Sequence, residues 1–336
     1  MNKRYTSIFM LLGMITFFGC NPFDSENNDS KNAKVLKEPP FKVITDSIDE
    51  FPNDAYLYLK RAELLSQKNF TELAFPDFKK AWTIKPDEPT AVLYAANLFM
   101  TGRENQAIDL LKECIKKFPG NNEFPRRLSE AYLQSGKSQE ALIQFNQLIK
   151  IDSNNFEPWF EKGSLLAQLK DTTQAIRCLE KAYALQPLQL IGVSLANLYA
   201  ETKNKKALDI CNELIVKDTA KELTDAFFIK GIYFANINQF EQALEQFETC
   251  INRDWKFTEA YIEKGIILYK DQNIDEALKT FELASRVSNT YPDAYYWMGR
   301  CYENIGKKQE ARENYMRALS LDKNFEEAKQ ALRKLR

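Results

Sequence analysis

Eight alanines, Ala74, Ala107, Ala141, Ala175, Ala207, Ala243, Ala277 and Ala311, follow one another at intervals of 33, 34, 34, 32, 36, 34 and 34 residues. A period held over most of a chain marks an array of like units, each too small to bury its apolar face alone. A second small residue precedes each alanine by twelve positions: Ala62, Ala95, Ser129, Gly163, then Ala196 after a slip of one, and Gly231, Gly265 and Gly299. Large residues keep the same beat. Three places after each small residue come Leu65, Leu98, Tyr132, Leu166, Tyr199, Phe234, Leu268 and Tyr302, and four places after each alanine come Phe78, Leu111, Phe145, Leu179, Cys211, Phe247, Phe281 and Tyr315.

Steps of three and four put these residues on one stripe of a helix. Two helices approach closely only where side chains are small, so the small residues mark crossing points and the large ones fill the gaps around them. Between the helices of a pair stand Thr101-Gly102, Ser135-Gly136 and Ile305-Gly306, where glycine takes a left-handed cap. Turns follow the pairs at Lys85-Pro86-Asp87, Pro119-Gly120-Asn121, Asp152-Ser153-Asn154 and Gln186-Pro187. With 44% apolar residues and only 11 Gly and 12 Pro in 336, composition agrees with an ordered, all-helical chain.

The pattern resembles the tetratricopeptide repeat, and the fourth unit carries it most fully: Trp159, Lys162-Gly163, Leu166, Ala175, Leu179, Ala182 and Pro187. The resemblance implies an all-α solenoid, a right-handed superhelix of about eight helical hairpins with a capping helix at each end. The repeats fall at about 55–87, 88–121, 122–155, 156–188, 189–223, 224–257, 258–291 and 292–325. Residues 41–54 read as a degenerate capping half-repeat. Residues 326–336 read as a solubilising last helix, with Phe325, Ala328, Leu332 and Leu335 on one stripe.

The first 19 residues read as an address. A short basic start with Lys3 and Arg4 leads into an apolar run from Ile8 to Phe18, roughly half the ~20 residues needed to span a bilayer. The ending Phe17-Phe18-Gly19-Cys20 resembles the lipobox of bacterial lipoproteins, which implies a lipid on Cys20. Residues 20–40 then form a polar tether without periodic pattern. By that resemblance the chain is expected at the bacterial envelope, as an outer-membrane lipoprotein on an undetermined face.

Several chemistries are disfavoured. There is no histidine, the commonest general base and metal ligand. Without Lys3 and Arg4, 44 basic and 47 acidic side chains leave a net charge of −3, which offers no nucleic-acid footprint. Gly136-Lys137-Ser138 lacks the leading glycine of a phosphate loop, since Ala131 stands there. The cysteines beyond Cys20 read as small core residues, with a pairing of Cys178 and Cys211 left open. No enzyme, cofactor or metal is expected.

In stacked hairpins the inner wall is built from the exposed face of each first helix. Helix spacing projects onto it Val92, Leu93, Phe99 and Met100, then Arg126 and Arg127 with Glu130, Phe160, Phe228, Ile229 and Ile232, Ile262, Ile266 and Tyr269, and finally Tyr296 and Trp297. Such a groove, apolar toward its ends and charged between, suits a partner polypeptide. The tetratricopeptide domains that grip a C-terminal carboxylate do so with Lys, Asn and Arg; here Leu59 with Glu63, Phe160 with Ser164 and Ile262 with Ile266 stand at matching positions. That grip is not expected. The expected function is a lipid-anchored, non-enzymatic protein-interaction scaffold. The alternative is a lipoprotein holding glycan or peptidoglycan fragments on the Tyr and Trp of the groove.

Overall fold

The computed structural model describes residues 34–220 and 222–335, so the signal segment, Cys20 and most of the tether lie outside the described residues. Among the described residues there are helices and turns and no strand. The chain divides into two compact units, one up to Gln168 and one from Leu169. It is an all-α helical repeat solenoid.

The first unit holds α1 (Lys42–Glu50), α2 (Ala55–Gln67), α3 (Thr71–Ile84), α4 (Glu88–Met100), α5 (Glu104–Lys117), α6 (Glu123–Gln134), α7 (Ser138–Ile151) and α8 (Phe156–Gln168). Each packs on the next in sequence, and α2 also touches α4. Helices α2 and α4 start where an Asp side chain takes a free backbone N–H. Asp54 accepts from Tyr56 N at 2.9 Å and Asp87 from Thr90 N at 3.0 Å. The cap α1 buries Phe41 and Ile48, and the Phe41 ring meets Phe70 edge-on at 5.8 Å. Val35 and Leu36, which the sequence places in the tether, are partly buried against the same core.

Polar chemistry also ties this cap down. Arg61 on α2 makes a two-pronged pair with Asp77 on α3, Nε to Oδ2 at 2.6 Å and Nη2 to Oδ1 at 2.7 Å. Its Nη1 reaches Thr45 Oγ1 on α1 at 3.2 Å.

The second unit holds α9 (Thr172–Leu185), α10 (Gln189–Glu201), α11 (Lys206–Lys217), α12 (Asp225–Asn236), α13 (Phe240–Arg253), α14 (Thr258–Lys270), α15 (Ile274–Val287), α16 (Pro292–Asn304), α17 (Lys308–Leu321) and α18 (Glu326–Lys334). Besides sequential packing, α10 touches α12, α12 touches α14 and α14 touches α16. The last helix buries Ala328 and Ala331 behind Phe325, and Leu332 and Leu335 lie partly buried beside them.

All eight periodic alanines have 0% exposure, and the large residues four places on are buried too. The crossing points are as close as the residue types require. A Cβ built on Gly265 would lie 2.5 Å from Cε1 of Phe281, and one on Gly299 2.6 Å from Cε1 of Tyr315.

Each described hairpin turns on one residue in the left-handed region. Gly102, Gly136 and Gly306 do so with φ of 67°, 68° and 79°, as the sequence predicts. The equivalent residues elsewhere are Asn69, Lys170, Lys203, Asn238 and Gln272, with φ between 61° and 64°. A side chain here costs on the order of 1 kcal/mol that glycine avoids. After Gln272 the turn closes through Asn273 N to Leu268 O at 3.0 Å, a bond that any residue at 272 keeps. Gln272→Gly is therefore expected to stabilise the second unit by about 0.5 kcal/mol, once the extra freedom of glycine in the unfolded chain is subtracted. Chemical denaturation of the two chains side by side measures this.

Candidate functional site

The faces of the first helices carry the candidate residues, and the structure sorts them. In the first unit Met100 on α4 is 59% exposed. Val92, Leu93 and Phe99 on the same helix are half-buried against the core. Phe160 on α8 is also half-buried.

Arg126 and Arg127 are less available than their charge suggests. Arg126 Nη2 and Nε donate to Glu123 at 2.7 and 3.0 Å, and its Nη1 pairs closely with Glu130. Arg127 Nε donates to the same Glu123 carboxylate at 2.8 Å. The Arg126 hydrogen bond, with the charges of both arginines, holds the Glu123 carboxyl below its usual range despite partial burial. These are pairs three and four residues apart on one helix, so the central charge is largely neutralised within α6.

In the second unit five expected groove residues belong to the core instead. Phe228, Ile229, Ile232, Ile262 and Tyr296 are all buried. Phe228 packs against the rings of Phe247 and Phe257 at 5.7 and 5.1 Å, and Tyr296 against Tyr315 and Phe325 at 5.8 and 5.1 Å. The physical reason is that a first helix here is covered by its own second helix and by first helices on either side. The stripe left over is narrower than the apolar stripe in the sequence.

Ile266 and Tyr269 on α14 and Trp297 on α16 remain half-buried. They sit on the core rather than stand free of it. Trp297 stacks on Phe281 at 5.8 Å with 13° between planes, and meets Tyr269 and Tyr296 edge-on at 5.5 and 5.4 Å.

Sequence reasoning passed over Arg300, one helical turn beyond Tyr296. Its Nη1 donates to Tyr296 Oη at 3.1 Å and its Nη2 to Tyr269 Oη at 3.4 Å. The signal was there in the spacing of four, which puts an arginine in line with a tyrosine on one helix.

Nothing in these faces forms a catalytic arrangement of nucleophile and base. Among the described residues no group of His, Cys, Asp or Glu is placed to hold a metal ion, and no helix is long and apolar enough to cross a membrane. Burial pushes the thiols of Cys114, Cys211 and Cys301 up to about 12, which keeps them protonated and unreactive. Cys211 is a free thiol, so the pairing with Cys178 weighed above does not form.

Comparison with known proteins agrees with this geometry. Family models described as "Tetratricopeptide repeat" match residues 98–169, 156–187 and 292–325. A curated relative, the TPR repeat-containing protein YpiA of Bacillus subtilis (strain 168), is 24% identical over 194 residues. That alignment covers 57% of this chain and 45% of the relative, so the chain spans under half the relative's length.

Among solved structures, a tetratricopeptide repeat protein from Parabacteroides merdae ATCC 43184 superposes with a TM-score of 0.62 at 18% identity, covering 73% of this chain and 97% of that one. Yeast Tom70 gives a TM-score of 0.54 at 20% identity, covering 96% of this chain and 66% of its own. PilW, described as a type IV pilus biogenesis factor, gives 0.53 at 17% identity over 63% and 98% of the two chains. At these identities the likeness is one of fold.

Proposed function

From the premise that this chain is a tetratricopeptide-repeat protein, we propose that it is a non-enzymatic scaffold, anchored by a lipid on Cys20 at the bacterial envelope, that binds a partner polypeptide on its first-helix faces. Support for the anchor comes from sequence alone: the basic start, the short apolar run ending at Gly19-Cys20, and the polar stretch after it. Support for the binding role comes from the fold, which in this family presents rows of side chains to other proteins, and from what those rows hold here. The observation that carries the reading is the uncovered part of the first helices. Met100 stands exposed in one unit, and Ile266, Tyr269 and Trp297 with Arg300 keep part of their surface open in the other. Surfaces that combine aromatic anchors with an arginine are those from which protein interfaces draw most of their affinity.

Two measurements test this. Fractionation of the bacterium, with radiolabelled fatty acid, is expected to place the full chain in the membrane and to label it. Cys20→Ser is expected to remove the label and release the chain. In parallel, cross-linking and co-purification from solubilised envelope is expected to return a defined partner whose recovery falls at least about ten-fold with Met100→Asp or Trp297→Ala, the range of a hot-spot loss. A chain that stays unlabelled would remove the anchor from the proposal. Recovery that is indifferent to both face variants, with their folding verified by circular dichroism, would remove the binding faces.

A further inference from the structure

The surroundings of Arg300 hold more than a packing contact. Its guanidinium carbon lies 5.5 Å from the centre of the Tyr269 ring and 5.9 Å from that of Trp297, so rings from α14 and α16 fix it in place. The carboxylate near it is committed elsewhere: Glu303 Oε2 accepts the hydroxyl of Tyr315 at 2.6 Å and stands 3.9 Å from Arg300 Nε, beyond hydrogen-bonding distance. The acceptors shown for this guanidinium are thus two neutral phenol oxygens. An arginine is always charged, and one that is partly desolvated and bonded only to neutral groups keeps unspent affinity for an anion.

The phenols add to this. Tyr269 and Tyr296 each use an oxygen lone pair to accept from Arg300, which leaves each O–H free to donate, and among the described residues neither is shown giving it to an acceptor. Guanidinium N–H groups and two phenol O–H groups therefore converge on one place, with the Glu303 carboxylate at its edge already taken by Tyr315. The Arg300 side chain is 37% exposed, so the place is open to a partner.

We propose that this arrangement is a receptor for a carboxylate carried by the partner, an Asp or Glu side chain within an extended segment, held by Arg300, Tyr269 and Tyr296. The proposal rests on the scaffold reading above and names the chemistry its second unit selects. An internal acid is favoured over a chain end because apolar surface lies on both sides: Ile266 and Trp297 one turn back along α14 and α16, and the 41% exposed Ile305 just past the end of α16. The donors differ from the Lys and Asn set with which other tetratricopeptide domains hold a terminal carboxylate, so the absence of that set here is consistent with a different receptor.

The test uses the full chain and nine-residue peptides, acetylated and amidated, with a central Glu between two Leu in a Ser background. Binding is followed by the change in tryptophan fluorescence, since Trp297 borders the site. The Glu peptide is expected to bind about ten-fold tighter than its Gln twin, the scale of one charge-assisted hydrogen-bond pair, and the Lys twin more weakly still. Arg300→Gln is expected to abolish the preference for Glu over Gln. Tyr269→Phe, which keeps the ring and removes the O–H, is expected to reduce it about three-fold at unchanged thermal stability.

Equal binding of the Glu and Gln peptides, no binding of either, or a preference that survives Arg300→Gln would overturn the receptor. Tighter binding of a twin with a central Gln and a free C-terminus would overturn the assignment to an internal acid. Recovery of the envelope partner separates the two readings: undiminished by Arg300→Gln but lost with Met100→Asp or Trp297→Ala, it leaves the scaffold standing and the receptor refuted.

Discussion

Gly265→Ala is expected to destabilise the second unit by about 2 kcal/mol, although alanine is the better helix former by about 1 kcal/mol. The added Cβ would lie 2.5 Å from Cε1 and 2.6 Å from Cζ of Phe281, distances that packed atoms do not tolerate. One of the two must give way. The Phe281 ring is fully buried on α15, and its face is stacked on Trp297, so turning aside means disturbing α16 as well. Overpacking of this kind usually costs about 1–3 kcal/mol, and with the ring held on both sides the cost falls at the upper end, so about 2 kcal/mol remains once the propensity gain of about 1 is subtracted.

A second substitution separates sterics from any other cause. Ala95 pairs with Leu111 at the equivalent crossing between α4 and α5, where both are fully buried. Gly265→Ala with Phe281→Leu is therefore expected to recover at least half of the loss, because the branched side chain vacates the space that the ring occupied. Denaturation by guanidinium, followed through tryptophan fluorescence, gives both numbers. A Gly265→Ala chain as stable as the parent would show that the hairpin is free to open by the few tenths of an ångström that the rest of the packing forbids. Unfolding of a repeat array need not be two-state, so the comparison is of transition midpoints for the same probe.

What could be read in the sequence follows from what leaves a periodic trace. The eight alanines and their large partners were legible because a crossing point demands a small residue on one helix and a large one on the other, and repetition makes that demand visible. The turn residues were legible only at Gly102, Gly136 and Gly306. The same left-handed backbone at Lys203 and Gln272 is imposed by the packing of the two helices, and nothing in those residue types announces it.

The candidate faces were harder for a related reason. Periodicity tells which stripe of a helix is apolar, not how many neighbours cover it. Phe228, Ile232 and Ile262 lie on the predicted stripe, but contact with the second helices and between successive first helices takes them into the core. Arg126 and Arg127 project with Glu130 onto the charged middle of the groove, but the spacing alone does not show that Glu123 and Glu130 pair with them along the same helix. Arg300 went unseen because its interest lies in two phenols, one of them on another repeat.

The buried pair of Arg61 and Asp77 has no counterpart in the periodic pattern, and it supports the largest expected loss. Asp77→Ala is expected to lower stability by about 3–5 kcal/mol, the usual result of leaving one half of a buried ion pair behind. Arg61 is only 9% exposed, and a methyl group in place of the carboxylate would offer its Nε and Nη2 no acceptor, so the guanidinium would have to draw water into the joint between α2 and α3 or leave it. Because Nη1 also holds Thr45, displacement of Arg61 frees a tie to α1, and the cap then rests on apolar contacts such as those of Phe41 and Ile48. Hydrogen exchange is expected to show this directly, with protection falling across α1 to α3 and unchanged in the second unit. The charge itself is not what the fold needs. Arg61→Met with Asp77→Leu fills a similar volume without a desolvation penalty, and is expected to come within about 1 kcal/mol of the parent. A double variant as unstable as Asp77→Ala would mean that the tie to Thr45, rather than the ion pair, holds the first repeat to its cap.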